Sequence, residues 1–200
     1  LLLPAPRTRI PEAPAHDAVL RLALVGGRPA PRVTGLEPLP GVANYLIGND
    51  PAKWRTGVPN WARVRFAGVY PGVDLVYHGD NPGGRLEYDF VVAPGADPRV
   101  IQLAFAGADR VRIAPSGDLV ISVGGREVRF ESPVVYQERD GTRTKVRGAY
   151  VLRDRARVAF RIGAYDRTRP LVIDPVIAWA AAKVSLSAAS SWALRRAISV

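Results

Sequence analysis

Regularly spaced turn signals are the feature that most constrains the fold of this chain. From Asn44 to Ile177, short apolar runs alternate with glycine, proline, asparagine and aspartate, so that a turn follows roughly every 8–12 residues. Short strands joined by tight turns, with no long helical pattern between them, are typical of a sandwich or an open barrel. We predict an all-β, mostly antiparallel sandwich or meander of two packed sub-sheets, with one or two short helical turns and an irregular C-terminal tail.

Composition excludes several chemistries. The 200 residues suit one domain, or two small ones that share a sheet, and the 48% hydrophobic fraction can build a core. The absence of cysteine excludes disulfides, thiolate zinc sites and cysteine nucleophiles. No apolar run of about 18 residues is present, so we expect no transmembrane helix.

The net charge of +10 comes almost wholly from arginine and suggests an acidic polymer or nucleic acid as a partner. Its distribution weakens that suggestion. Residues 1–40 carry +2, residues 178–200 carry +3, and the middle of the chain carries +5 interleaved with fifteen acids. This mixing favours a solvated arginine-rich surface without a specific nucleic-acid partner.

Three regions follow from the pattern along the chain. Residues 1–17 are proline-rich and predict a flexible lead-in. Residues 18–177 form the β-rich module, with a possible subdivision near residues 105–110. Residues 178–200 are rich in alanine and serine, and we interpret this atypical tail as a frameshifted or truncated repeat region that is marginally helical or disordered.

Two short helical turns carry the same signal. Asp50 precedes Pro51, and Asp97 precedes Pro98. In each pair the aspartate can cap free backbone N–H groups, while proline takes a first-turn position where its missing N–H costs nothing. Before the first of these turns, residues 19–25 predict a strand, and the following GGRPAPRV segment is typical of a loop.

The clearest hairpin joins residues 73–78 to residues 85–92 through the DNPGG loop at 80–84. We predict the cross-strand pairs Tyr77 with Leu86, Leu75 with Tyr88, and Val73 with Phe90, which place all six side chains on one face. The other face then carries Asp74 opposite Asp89, Val76 opposite Glu87, and His78 near Arg85.

A meander is predicted after the hairpin, with Asp140-Gly141 as a two-residue turn signal. Its strands are expected at residues 111–113, 118–123, 126–130, 134–139, 144–152, 157–163 and 171–174.

Five segments in fixed order resemble the bacterial β-rich domain that precedes SBBP-type repeats, which are predicted to form β-propellers in secreted proteins. They read IGNDPAKWRTGVPN, YPGVDLVYHG, LEYDFVVAPGADP, SPVVYQE and YDRTRPLVIDP. The resemblance covers about residues 40–177. It implies an extracellular or cell-surface location and downstream β-propeller-type repeats as partners, with a surface glycan or protein as a further partner, and it supplies no catalytic residues.

Lys53, Trp54, Arg55 and Trp61 form a basic and aromatic cluster. Aromatic rings flanked by cations can stack on sugars or peptides, so these four are the candidate ligand-binding residues. We favour the alternative that both tryptophans pack into the core beside a short helical turn.

Asp74, Glu87 and Asp89 are the candidate polar or cation-binding cluster. Opposed carboxylates can share a proton, bind Ca²⁺ or serve glycoside hydrolysis. No compact calcium-binding loop motif is present, and we favour a polar sheet face neutralised by arginines. Cofactors and catalytic residues are not expected.

The expected function is therefore a non-catalytic structural or adhesive accessory module of an exported repeat protein. A carbohydrate- or surface-polymer-binding module using Trp54 or Trp61 is the alternative. A glycoside hydrolase using Asp74 with Asp89 or Glu87 is a third hypothesis, which needs these carboxylates to line a cleft.

Overall fold

A computed structural model describes residues 19–80, 85–178 and 184–186. The fold is all-β, as predicted, and its strands form three sheets rather than two. The largest sheet has seven antiparallel strands, in the order β11 (Thr142–Val146), β10 (Val134–Arg139), β14 (Leu171–Asp174), β5 (Arg85–Val92), β4 (Val73–Asp80), β3 (Arg55–Tyr70) and β2 (Arg32–Tyr45).

Two smaller sheets complete the sandwich. The five-stranded sheet has the order β12 (Gly148–Leu152), β13 (Arg157–Ile162), β6 (Gln102–Ala106), β1 (Leu20–Leu24) and β16 (Val184–Leu186). The four-stranded sheet has the order β15 (Ile177–Ala178), β9 (Arg126–Phe130), β8 (Leu119–Val123) and β7 (Arg110–Ile113). Every pairing is antiparallel except that of β1 with β16.

One apolar cluster joins the three sheets. Phe90 on β5 meets Phe160 on β13 with ring centroids 6.0 Å apart, and Phe105 on β6 meets Phe130 on β9 at 5.6 Å. All four rings are at most 2% exposed. Because buried aromatic pairs combine large apolar area with edge-to-face attraction, these contacts fix how the sheets face one another.

The turns follow the local chemistry that the sequence predicts. Pro51–Lys53 and Pro98–Val100 form short 3₁₀ helices, and the side chains of Asp50 and Asp97 each accept a backbone hydrogen bond at the N-terminus. At the β10–β11 turn, Asp140 and Gly141 have φ of 49° and 77°. Two consecutive positive φ values match the right-handed twist of the flanking strands.

The predicted register of the β4–β5 hairpin is wrong by two residues. The structure pairs Tyr77 with Tyr88 and Leu75 with Phe90. A two-residue shift keeps every side chain on its predicted face, so the apolar pattern could not distinguish the two registers. Residues 81–84 of the predicted DNPGG loop lie outside the described residues.

Three further expectations are corrected. The end of the segment predicted as a loop is already strand, because Arg32 and Val33 pair with β3. The strand predicted over residues 144–152 is two strands in different sheets, β11 and β12. In the tail, which was expected to be marginally helical or disordered, residues 184–186 pair with β1 as a strand. Residues 1–18, 179–183 and 187–200, which include the whole predicted lead-in and most of the predicted tail, lie outside the described residues.

Gln137 is one of two buried polar residues in the described part of the chain, at 9% exposed, and it holds the segment before β14 in place. Its Nε2 donates to the carbonyl oxygens of Asp166 (2.8 Å) and Pro170 (3.2 Å), and its Oε1 accepts from the Asp166 N–H (3.0 Å). The side chain thereby joins β10 to the segment before β14 through partly buried hydrogen bonds.

We expect Gln137→Met to lower the free energy of unfolding by about 2 kcal/mol, since it removes three partly buried hydrogen bonds between β10 and the segment before β14. Urea unfolding of both proteins measures the difference. Glu138→Met is the matched control, because Glu138 forms an exposed ion pair with Arg143 and should change stability by at most about 0.5 kcal/mol. Equal stabilities for Gln137→Met and wild type would contradict the role assigned to Gln137.

Candidate functional site

A polar cluster lies on the face of the seven-stranded sheet that is turned away from the core. Side chains alternate along a strand, so β4 and β5 bury Tyr77 and Tyr88 on one face and carry polar residues on the other. His78 lies opposite Glu87 on β5 and opposite Arg63 on β3. We call His78, Glu87, Asp89 and Asp174 the His78 cluster.

The imidazole of His78 bridges two carboxylates. Its Nε2 lies 3.1 Å from Asp89 Oδ2, and its Nδ1 lies 3.7 Å from Glu87 Oε2. The hydrogen bond to Asp89 is the main cause that raises the pKa of His78, and the negative charges of Asp89 and Glu87 add to it. The cluster therefore favours the charged imidazolium.

Asp174 is the member of the cluster whose ionised form is destabilised by its position. It follows Ile173, which pairs with Phe90, so the register places it beside Asp89 on the neighbouring strand. Burial, followed by the negative charges of Asp89 and Glu87, raises the pKa of Asp174 to about 6. Its buried Oδ1 has no hydrogen-bond partner among the described residues.

The predicted pairing of Asp74 with Asp89 is wrong. Asp74 lies opposite Val91, and Asp89 lies opposite Val76. Both oxygens of Asp74 already have partners. Oδ2 accepts from Arg65 Nε at 2.8 Å, and Oδ1 accepts from the Gly68 N–H at 2.7 Å.

Gly68 explains why Asp74 is needed where it is. Its φ of 63° belongs to an irregularity in β3, where the register with β4 shifts between Phe66 and Tyr70. A bulge leaves a backbone N–H without a ladder partner, and the Asp74 carboxylate accepts from it. Asp74 thus stabilises the sheet, and its charge is balanced by Arg65.

The candidate cation cluster does not form a metal centre. Among residues 19–80, 85–178 and 184–186, no group of three or more histidine, cysteine, aspartate or glutamate side chains could hold a metal ion. Asp74 is engaged by Arg65, while Glu87 and Asp89 face the imidazole of His78. The Ca²⁺ hypothesis therefore finds no ligand set in this part of the chain.

The expectation that both tryptophans pack into the core is wrong. Trp54 is 38% exposed and Trp61 is 40% exposed. Both lie on a long ribbon that β2 and β3 form where they pass beyond the core, which we call the β2–β3 arm (residues 33–61). Lys53, Trp54 and Arg55 come together near its tip, whereas Trp61 lies further along β3, opposite Pro38.

Polar contacts order the tip of the arm. The indole Nε1 of Trp54 donates to the Gly48 carbonyl at 3.0 Å, which closes the loop between the two strands. Asn44 Oδ1 accepts from the Gly57 N–H at 2.9 Å, across the irregular part of the ribbon. Lys53 Nζ lies 3.5 Å from Asp50 Oδ2, in an exposed pair.

Trp61 lies against the backbone of the opposite strand. A β-carbon added at Gly35 would overlap the indole ring of Trp61, so only glycine fits beneath it. An aromatic ring that covers a cross-strand glycine shields its backbone and pins the ribbon register.

Sequence reasoning missed the aliphatic residues of the arm. Of ten large exposed hydrophobic residues in the described part of the chain, seven belong to the arm: Val33, Leu39, Val42, Leu46, Ile47, Trp54 and Trp61. The sequence does carry a signal for them, because these apolar residues are interleaved with proline and glycine. Apolar residues beside proline and glycine lie near turns, so they are not expected to belong to a strand that faces the core.

The fold and this surface define an all-β sandwich domain with a protruding, apolar two-stranded arm. A family model described as "Domain of unknown function (DUF7948)" matches residues 5–176, and the chain belongs to this family. No curated protein and no solved structure matches the chain significantly. Within the described residues, no helix is long and apolar enough to cross a bilayer.

We expect Asp174→Asn to stabilise the protein at about pH 8 by about 1 kcal/mol, after discounting for partial solvent exposure. The folded-state pKa of Asp174 is raised to about 6, so its contribution is most favourable below its ordinary pKa and is lost as pH rises through 6. Asparagine does not ionise, and the advantage should vanish near about pH 4. Urea unfolding at both pH values tests this.

Asp118→Asn is the control of opposite sign. Hydrogen bonds from Ser116 and Arg129 lower the pKa of Asp118, so its ionised form stabilises the fold above its ordinary pKa. This variant should be less stable than wild type at about pH 8. An Asp174→Asn protein that is also less stable there would overturn the description of the cluster.

Gly35→Ala should displace the Trp61 indole and shift its fluorescence maximum, measured with Trp54, Trp179 and Trp192 changed to phenylalanine. Gly79→Ala is the matched control, because nothing lies within 4 Å of a β-carbon at Gly79. The control spectrum should match that of the parent. Identical spectra for all three proteins would show that the indole does not rest on Gly35.

Proposed function

We propose that this domain is a non-catalytic structural or adhesive module of an exported repeat protein, and that the β2–β3 arm is its docking surface. The observation that carries the proposal is the arm itself. It exposes Ile47 at 70%, Val42 at 58% and Leu46 at 57%. Burying these apolar side chains away from water would stabilise the protein, so their exposure needs an explanation.

The arm adds nothing to the core of the domain. No residue between Leu24 and Phe66 belongs to the buried core cluster of the described chain. Ten residues of β2, from Leu36 to Tyr45, extend the ribbon by on the order of 30 Å. Two-stranded ribbons are marginally stable alone. A ribbon of this length that does not serve the fold is best explained by contact with a partner.

The chemistry of the arm favours docking through side chains over addition of a strand. β2 is an edge strand, which would normally invite another strand to pair with it. Pro38 and Pro40 lie within β2 and lack N–H groups, and the register with β3 shifts between Pro38 and Val42. Apolar side chains and the two tryptophans are then the anchors, as at protein interfaces in general.

The partner in this proposal is the set of β-propeller-type repeats downstream in the same protein, at the cell surface or outside the cell. The resemblance to domains that precede SBBP-type repeats supports it. The structural roles found for Asp74, bound to Arg65 and Gly68, support the absence of catalysis.

Carbohydrate binding by Trp54 or Trp61 is the second candidate, because both indoles are about two-fifths exposed. Two contacts count against it. The Trp54 N–H already donates to Gly48, and Trp61 already covers Gly35. Each ring therefore has a role within the arm.

The test compares Leu46→Ser/Ile47→Ser with Val134→Ser/Leu152→Ser, which alters two exposed hydrophobic residues outside the arm. Binding to the separately produced repeat region is measured by calorimetry. We expect the arm variant to bind at least about tenfold more weakly while keeping its melting temperature, since it touches no core residue.

Two results would reject docking through the arm. One is unchanged binding by the arm variant, and the other is equal weakening in the control. A parallel titration with a panel of neutral and acidic glycans separates the second candidate. Quenching of Trp54 or Trp61 by a glycan, without binding of repeats, would favour the carbohydrate module instead.

A further inference from the structure

A pocket of about 420 Å³ opens beside the five-stranded sheet, away from the arm. Its walls come from β12, β13, the 3₁₀ helix at Pro98–Val100 and the segment that follows β13. Four arginines line it together with a single acidic residue, Asp97: Arg99, Arg153, Arg161 and Arg167. A concentration of like charge around one cavity raises the local potential for anions.

Two of these arginines already have partners. Arg99 donates to both oxygens of Asp97, at 2.9 and 3.0 Å, and Arg167 donates to the Gly95 carbonyl at 3.2 Å. Their guanidinium groups are thereby held in place at the pocket wall.

The other two have none. The exposed side chains of Arg153 and Arg161 make no hydrogen bond or ion pair with any other residue in the described part of the chain. Other arginines of the described chain, such as Arg65 and Arg157, are each paired with an aspartate. Arg153 follows β12 directly and Arg161 lies on β13, and unpaired guanidinium groups at these positions keep all their donors available for an oxyanion.

The rest of the wall is apolar. Val151, Ile162, Pro98 and the ring of Tyr165 line the same cavity. Its volume lies within the range of about 300–1,000 Å³ that holds small ligands. A ligand that fits has a compact body with an apolar face and carries at least one negative group.

We propose that this pocket binds an acidic sugar residue, a uronate or a sulfated sugar, with Arg153 and Arg161 holding its negative group. The sugar ring packs on Val151 and Tyr165. Nucleic acid is a poorer fit, because a phosphate backbone needs cations along an extended groove, whereas these four surround one cavity. The site shares no residue with the β2–β3 arm, so it stands or falls independently of docking through the arm.

Calorimetric titration of the 200-residue chain tests the site with digalacturonate, a sulfated heparin disaccharide, neutral cellobiose and inorganic sulfate. We expect one or both acidic disaccharides to bind and cellobiose not to bind. Which of the two binds identifies carboxylate or sulfate as the recognised group. Arg153→Gln/Arg161→Gln should weaken binding by about tenfold or more, because charge-assisted hydrogen bonds are lost.

Arg28→Gln/Arg110→Gln is the matched control. It removes the same two charges from exposed positions outside the pocket and should stay within about twofold of wild type. Equal weakening in both double variants would show a diffuse field and overturn the site. Sulfate that binds as tightly as the disaccharides would indicate an adventitious ion only. The absence of binding by both acidic disaccharides would also reject the proposal.

Discussion

The fold depends on one row of six aromatic side chains that crosses from the seven-stranded sheet into the five-stranded one. Neighbouring rings along it have centroids 5.5–6.0 Å apart, and all are at most 8% exposed: Phe66, Tyr77, Tyr88, Phe90, Phe160 and Tyr150. Removing one such ring from a core costs about 3–5 kcal/mol. The row spans three adjacent strands and the sheet beyond them, so it sets strand register and sheet packing together.

The polar face follows from this row. Once Tyr77 and Tyr88 point inward, the alternation along β4 and β5 must place His78, Glu87 and Asp89 on the opposite face. The register then determines which side chains are cross-strand neighbours, and it places Asp174 next to Asp89 rather than next to an arginine. Burial and like charge raise the pKa of Asp174 to about 6, while Asp89 and Glu87 also raise that of His78. The packing of the core thus determines the electrostatics of the opposite, polar face of the same sheet.

The sequence predicted the features that depend on local turn chemistry and on the alternation of apolar and polar residues along a strand. Strands β9, β10 and β14 have the predicted bounds, and both 3₁₀ helices begin at the Asp-Pro pairs. The register of the β4–β5 hairpin was predicted wrongly because a shift by two residues leaves a period-2 pattern unchanged. The pattern therefore could not show that Asp74 does not lie opposite Asp89. The β2–β3 arm was not predicted because the prolines and glycines around Pro38 are typical of a loop. Only pairing with β3 makes that segment strand, and pairing at this distance is not encoded in a local pattern.

The same argument explains why net charge says little about the partner of this chain. A total of +10 is compatible with a uniformly solvated surface, and many arginines do sit beside carboxylates, as Arg65 does beside Asp74. What distinguishes Arg153 and Arg161 is the absence of such a neighbour among the described residues, together with a cavity between them and an apolar wall. That combination arises when β12 and β13 pair and Tyr165 and Arg167, from the segment after β13, line the same cavity. Charge becomes informative about binding only after the fold has decided which charges remain uncompensated.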